Sequence, residues 1–400
     1  MAPPRSEHLD RIAPHLIPVS QPLVPFADPG RAARAELGAL TLGLKRVVDR
    51  GQFLLAEEVR ASEAEFAASC GHPYAVGVAT GTDAIELALR ALNIGPGDEV
   101  VTQANTCVPT IAAIVRAGAV PVLCDADPTG AIDPESAANA ISPATRALLP
   151  VHLYGHCADM LALCTLARDR KLHVIEDCAH ALGATLRGRP AGTFGTLACF
   201  SFYPTKQLAA LGDAGAVTTA DAGLAERLRA LRSYGRREPG INSRMGELQA
   251  AFLRQRLPRL GEERLRREAL ALRYDEDLAG TLVNPLPRHP GRGHALHLYV
   301  IEVARRNAFR RTLQEAGIAT GVHYAPVLSA QPAWRRFVRI PVPLPIAERL
   351  ADRVVSLPLF PALRDAEQAA VIAAVQGLRR STDHRSAERY SRHASRSNVT

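Results

Sequence analysis

Three lysines, Lys45, Lys171 and Lys206, stand among 48 basic residues in this 400-residue chain, so arginine supplies nearly all of the positive charge. Only Lys206 lies in an apolar, aromatic run, Phe200-Ser201-Phe202-Tyr203-Pro204-Thr205-Lys206. A guanidinium keeps its proton at any working pH, whereas an amine can lose one and attack a carbonyl. Retention of an amine here, in a chain that otherwise uses arginine, points to a Schiff-base lysine; a snorkelling structural lysine is the common alternative. Lys45, beside Arg46, and Lys171, beside Arg170, sit among charges and read as solvated.

The neighbouring segments offer what such a lysine would need. His173-Val174-Ile175-Glu176-Asp177 is a β-branched run ending in carboxylates, and the helix-like stretch Asp159 to Lys171 precedes it, so it reads as a buried parallel strand. Asp177 then falls at the strand's carboxyl end, where open α/β sheets bind their ligands. Pyridoxal phosphate requires a lysine for its aldehyde and an acid to keep its ring nitrogen protonated, and Lys206 and Asp177 fit those roles. A turn or helix-capping carboxylate is the alternative for Asp177. For the phosphate, the apolar run Ala75 to Ala79 leads through Thr80-Gly81-Thr82-Asp83 into helical spacing at Ile85, Leu89 and Leu92. A strand, glycine turn and helix present free N–H groups and a positive dipole end to an anion. Gly81 permits close approach, and Thr82 is expected to cap the helix and offer a hydroxyl. Many such turns bind nothing.

Seven motifs occur in a fixed order: Thr80-Gly81-Thr82-Asp83-Ala84, Ala104-Asn105-Thr106, Val151-His152-Leu153-Tyr154-Gly155, Glu176-Asp177-Cys178-Ala179-His180, Ser201 to Lys206, Leu211-Gly212-Asp213 and Asn242-Ser243-Arg244-Met245. In that order the chain, from about Phe53 to Leu378, resembles the DegT/DnrJ/EryC1/StrS aminotransferases. The resemblance implies an α/β fold type I pyridoxal-phosphate-dependent transferase. Its mostly parallel central sheet would be flanked by helices and followed by a smaller α+β C-terminal domain. It implies that Lys206 carries the Schiff base and shuttles the proton, that Asp177 pairs with the ring nitrogen, and that His180 stands beside the ring; a core histidine satisfied by backbone is the bland reading of His180. Gly81, Thr82 and Ser201 resemble phosphate ligands, and Asn242 resembles the asparagine that reaches a partner's phosphate, so a homodimer with shared sites is implied. His323, Tyr324 and Tyr234 are the substrate-contact candidates, and no metal is expected.

The implied reaction moves an amino group from an amino acid, glutamate by resemblance, to a ketone on a nucleotide-linked deoxysugar. A free keto sugar or cyclitol, a non-catalytic cofactor-binding regulator and the fold's dehydratase branch are the alternatives; the last replaces the lysine by histidine, which Lys206 argues against. Cys107 replaces a frequent aromatic, Ala214 a glycine and Ser329 a histidine, and the loop from Tyr234 to Asn242 is shorter than the family's.

The elements that must position these residues follow from periodicity. Strand-like Glu99 to Thr102, Val120 to Cys124, Ala147 to Val151, His173 to Ile175 and Leu197 to Phe200 alternate with helix-like Val108 to Ala117 and Asp159 to Lys171, as a parallel sheet covered on both faces requires. Leu248 to Leu278 reads as a long helix broken near Pro258, with Asn242 opening the segment. His297 to Val303, the helix Ala308 to Ala316, strand-like Thr320 to Tyr324 and the helix Asp365 to Leu378 suggest an α+β unit. The expected organisation is an N-terminal arm over 1–30, a large cofactor domain over 31–260, a small domain over 261–380 and a disordered tail over 381–400.

Composition narrows the function classes. The hydrophobic fraction of 47% is ordinary, and no stretch is long and apolar enough to span a bilayer. The amino terminus lacks a signal-peptide core, so a cytoplasmic location is expected. Seven scattered cysteines with no C-x-x-C pair read as reduced thiols. The net charge of +8 comes without a nucleic-acid-binding motif, so it reads as arginine bias, and neither nucleic acid nor membrane is an expected partner.

Overall fold

The computed structural model describes residues 23–378; the expected tail and most of the expected arm lie outside them. Seven strands form the central sheet: β1 (Tyr74–Val78), β2 (Glu99–Gln103), β3 (Val120–Cys124), β4 (Thr145–Leu148), β5 (His173–Asp177), β6 (Leu197–Ser201) and β7 (Gly215–Thr219). Their spatial order is β1-β7-β6-β5-β4-β2-β3. Strands β6, β5, β4, β2 and β3 pair in parallel, and β7 alone runs against its neighbours β1 and β6. The parallel strands are nearly continuous in buried residues, as a sheet with both faces covered demands, with the polar ones gathered mostly at strand ends. One apolar cluster includes Val101, Cys124, Leu148 and Phe200, and another includes Val100, Leu149, Ile175 and Val217, so alternate residues of the strands feed different clusters.

The long C-terminal helix breaks where expected: Glu247–Arg256 passes through a 3₁₀ turn at Leu257–Arg259, containing Pro258, into Leu260–Asp277. A second sheet of three antiparallel strands, β8 (Asn284–Pro285), β9 (Tyr299–Glu302) and β10 (Val354–Leu357), packs with that last helix around Leu270, Tyr274, Phe309 and Val371. Thr320 to Tyr324, expected as a strand, forms only a single bridge, Gly321 to Ser356. The strand instead is β10, whose Val354 to Leu357 run is fully buried. Asn242 does not open the helix either, which starts at Glu247. All seven cysteines are free thiols.

The carboxyl ends of β1 and β6 and the start of the antiparallel β7 meet at one turn. The helix Gly81–Ala91 is capped by Thr80, whose extended backbone lets its hydroxyl accept from the Asp83 N–H at 2.9 Å. Thr82 therefore lies inside the first turn and caps nothing, contrary to the sequence expectation. A Cβ on Gly215 of β7 would stand 2.6 Å from the Thr80 carbonyl oxygen, so this backbone crossing admits only glycine without displacement. Gly215→Ala should cost about 1–3 kcal/mol of stability by forcing that turn outward. Chemical denaturation checks the loss.

Candidate active site

Successive residues of a strand point to opposite faces, so Glu176 and Asp177 at the end of β5 serve different ends. Glu176 is fully buried and accepts from His152 Nε2 (2.9 Å) and from the N–H groups of Gly192, Phe194 and Gly195 (2.8, 2.7 and 2.6 Å). Burial would raise its pKa, but the His152 bond and the backbone amides outweigh it and hold the carboxyl below its ordinary range. Although His152, Glu176 and Cys178 have ligand atoms within 4.8 Å of one another, His152 Nδ1 already accepts from the Ala158 N–H at 3.1 Å. Nε2 therefore carries the proton given to Glu176, and neither nitrogen has a free lone pair for a metal. The cluster ties the 192–195 loop to the sheet.

Asp177 faces the other way, 3% exposed. Its Oδ2 accepts from Thr110 Oγ1 at 3.0 Å and its Oδ1 from the Ala179 N–H at 3.1 Å. Burial raises its pKa against these two bonds and the pull of Lys206. A protonated ring nitrogen would supply the cation that such a carboxylate lacks.

Lys206 sits in the turn after β6, where its N–H donates to the Tyr203 carbonyl at 2.8 Å. Burial draws its amine down to about 8, against Cys107 and Asp177, which both raise it. Lys45 instead is exposed beside Asp49, and Lys171 is an exposed helix C-cap, as solvated lysines should be.

His180 is buried, and its Nδ1 accepts from the Tyr154 N–H at 3.3 Å. Its proton is thus on Nε2, 3.4 Å from the Tyr324 hydroxyl. Burial, and after it Lys206 and His323, keep this imidazole neutral. Backbone satisfies one nitrogen and leaves the other for the site. The His297 ring packs on it at 4.2 Å between centroids.

The three phosphate candidates are gathered. A Cβ on Gly81 would stand 2.6 Å from Ser201 Cβ, so the glycine turn lies against the end of β6, with Thr82 next in the helix. His323 and Tyr324 are also brought in: His323 Nδ1 lies 2.8 Å from Ser356 Oγ, its ring stacks on Phe26, and its carbonyl accepts from the Tyr154 hydroxyl at 2.7 Å. Tyr234 and Asn242 are not. Both are exposed, grouped around Arg244, whose Nε donates to Asn242 Oδ1 at 3.0 Å and whose guanidinium lies 5.7 Å from the Tyr234 ring centre.

Thr110 and His297 carried no sequence signal of their own, and Tyr154 stood in a motif without an assigned role. Thr110 reads as one polar residue in an apolar helix, and its role depends on the tertiary approach of that helix to β5. Cys107 heads the same helix, half-buried, with its sulfur 3.9 Å from Thr110 Oγ1. Ala214 needs no glycine: its carbonyl accepts from the Phe202 N–H at 2.8 Å and its φ is not positive.

An amine drawn toward neutrality, a buried acid, a neutral imidazole and a glycine turn at a helix start form a donor set that fits pyridoxal phosphate. Residues 39–376 match the DegT/DnrJ/EryC1/StrS aminotransferase family. The chain belongs to that family. It is 46% identical over 366 residues, covering 89% of this chain and 96% of the relative, to dTDP-3-amino-3,4,6-trideoxy-alpha-D-glucose transaminase of Streptomyces venezuelae. It is 43% identical, covering 83% and 91%, to UDP-N-acetyl-3-dehydro-alpha-D-glucosamine 3-aminotransferase of Acidithiobacillus ferrooxidans. The crystal structure of S. venezuelae DesV in complex with a ketimine intermediate superposes with a TM-score of 0.86 at 43% identity, covering 89% of this chain and 98% of that one. The protein is a pyridoxal-phosphate-dependent sugar aminotransferase with the type I fold.

The Lys206 amine of the apoenzyme should titrate near 8, about two units below a free lysine. With three lysines in the chain, ε-¹³C-lysine NMR resolves it directly. Asp177→Asn removes a raising charge, so the titration should move lower still; an unchanged titration would mean that the two groups do not interact.

Proposed function

We propose that this aminotransferase transfers the amino group of an amino acid, L-glutamate, to the keto group of a nucleotide-linked deoxysugar, for a polysaccharide or a glycosylated natural product. It would work in the cytoplasm as a homodimer, each chain divided into a large domain over 31–260 and a small one over 261–380. The observation that carries the reading is the Lys206 amine, held near neutrality beside the buried Asp177. The sugar reading draws on relatives whose names specify dTDP- and UDP-linked sugars.

Pyridoxal phosphate, when bound, supplies an aldehyde to carry the amino group and a ring to accept electrons. Gly81, Thr82 and Ser201 would hold its phosphate, with Asn242 of the second copy completing the cradle. Asp177, fixed by Thr110 and the Ala179 N–H, would keep the ring nitrogen protonated. His180 would stand neutral against the ring, since an added cation there would compete with that proton. The Lys206 Nζ is the base: with a pKa of about 8, roughly a tenth of it is free at pH 7, against well under a thousandth for an ordinary lysine. His323 and Tyr324 would contact the acceptor sugar, and Tyr234, grouped with Asn242 away from this chain's own site, would approach a head group only from the second copy.

Support for the second copy comes from the surface. Leu37, Leu42, Leu44, Val48, Phe53 and Leu54 are large apolar residues exposed within one 18-residue stretch, more than scattered surface hydrophobes account for. Asn242 is exposed as well, as a residue serving another subunit must be.

Lys206→Ala and Lys206→Arg should each lower transamination at least about a thousandfold while leaving a folded protein, checked by amino transfer from glutamate and by circular dichroism. Comparable activity in Lys206→Arg would sink the amine argument. Asp177→Asn should slow proton abstraction on the order of a hundredfold or more, with a smaller loss of cofactor affinity, resolved by stopped-flow absorbance. The shared site is tested by mixing inactive Lys206→Ala with inactive Asn242→Asp under subunit exchange. Each mixed dimer should regain about one whole site, because the chain with intact Lys206 receives Asn242 from the other. Demonstrated exchange without recovery would show that Asn242 acts within its own chain or not at all.

A further inference from the structure

Three arginines are buried among the described residues, and their partners differ. Arg232 is paired with Glu63, and Arg256 Nε lies 2.7 Å from Glu36. Arg267, 5% exposed on the helix Leu260–Asp277, has no carboxylate oxygen within 4.0 Å among the described residues. Its Nη1 donates to the carbonyls of Leu296, His297 and Leu359 at 3.2, 3.5 and 3.1 Å, and its Nε has no hydrogen-bond partner. Carbonyl dipoles do not neutralise a buried cation, and an uncompensated one is costly.

Arg267 lines a cleft of about 280 Å³ that Lys206 also lines. The other arginines of its wall are neutralised: Arg31 by Glu367 at 2.8 Å, Arg256 and Arg259 by Glu36, and Arg266 by Asp365 at 2.6 Å. Among the described residues of the wall, Lys206 and Arg267 are the positive charges with no carboxylate oxygen within 4.0 Å. A guanidinium matches the two oxygens of a carboxylate, and the compound that meets Lys206 in the first half-reaction is an amino acid.

We propose that Arg267 binds a carboxylate of the amino donor, and of the 2-oxo acid it becomes, in the cleft it shares with Lys206. The inference rests on the amino-acid donor reading. The site would be used in one half-reaction only, because a nucleotide-linked deoxysugar, whose charge lies on its diphosphate, brings no carboxylate to it. Glu263, one helical turn earlier and also lining the cleft, is the negative charge against which the ligand competes.

The test measures glutarate, an unreactive dicarboxylate, binding by calorimetry to the pyridoxamine-form holoenzyme, with a nucleoside diphosphate as the second probe. Glutarate should bind the wild type and lose about tenfold to hundredfold in Arg267→Gln, less in Arg267→Lys, while the nucleoside diphosphate is unaffected. Glu263→Gln should tighten glutarate, and this variant keeps all three carbonyl contacts of Arg267 should Arg267→Gln not fold. Absence of glutarate binding to the wild type, equal glutarate affinity across wild type, Arg267→Lys and Glu263→Gln, or a loss confined to the nucleoside diphosphate would each overturn the proposal. Conversion of the wild-type cofactor by glutamate, followed as an absorbance change, reports on the donor reading separately. If that conversion proceeds and glutarate ignores Arg267, the subsite fails and the aminotransferase stands.

Discussion

A buried carboxylate must be met by positive charge or hydrogen bonds, and the end of β5 carries two of them on consecutive residues. Glu176 is satisfied within the protein by one imidazole and three backbone amides, so its charge is spent on fixing the loop beside the sheet. Asp177 receives two hydrogen bonds, and burial still raises its pKa. The same strand therefore closes one face and leaves the other in want of a cation. The helix that carries Thr110 brings a hydroxyl to that face, the Thr80-Gly81 turn packs on Ser201 at the end of the neighbouring β6, and Gly215 of β7 lies against the same turn.

Electrostatics around Lys206 follow from the same constraint. An amine beside Asp177 alone would keep its proton firmly; burial reverses that preference and leaves a base near neutral pH. The imidazoles of His180, His297 and His323 lie within its field, and burial holds all three uncharged. Had any of them been a fixed cation, it would have lowered the amine further and opposed a proton on the ring. Neutral aromatic walls and one acid would let a single lysine serve as nucleophile and base, the role proposed for Lys206.

Much of this was legible in the sequence because the relevant signals are local. A β-branched run ending in Glu-Asp specifies a buried strand, and a glycine turn before helical periodicity specifies the strand-to-helix turn at Thr80 and Gly81. Lys206 stood out because arginine had replaced lysine almost everywhere else. The misreadings share a cause. Thr82 and Thr80 are equally good caps by residue type, and only the extended backbone at Thr80 decides between them. Thr320 to Tyr324 has strand-like composition, yet β10 takes the place beside β9 because its four residues are all buried in the second core. Thr110, His297 and Arg267 act through partners 67, 117 and 92 residues away, a separation that no local pattern encodes.

Arginine bias also explains why so many of the chain's charges are structural. A guanidinium can satisfy several acceptors at once: Arg254 bridges Glu58 and Glu65, Arg227 reaches Glu238 and the Ala91 carbonyl, and Arg292 meets Asp159. Such forks replace lysine ion pairs readily, since they need only charge and donors. Proton loss is the one property they cannot supply at neutral pH. Substitution toward arginine can therefore run through the surface and the helix faces without touching function until it reaches a side chain that must be uncharged for part of its cycle. Lys206 lies at that boundary, in a burial environment that makes the uncharged form accessible, whereas Lys45 and Lys171 are exposed and could be exchanged for arginine without loss of chemistry.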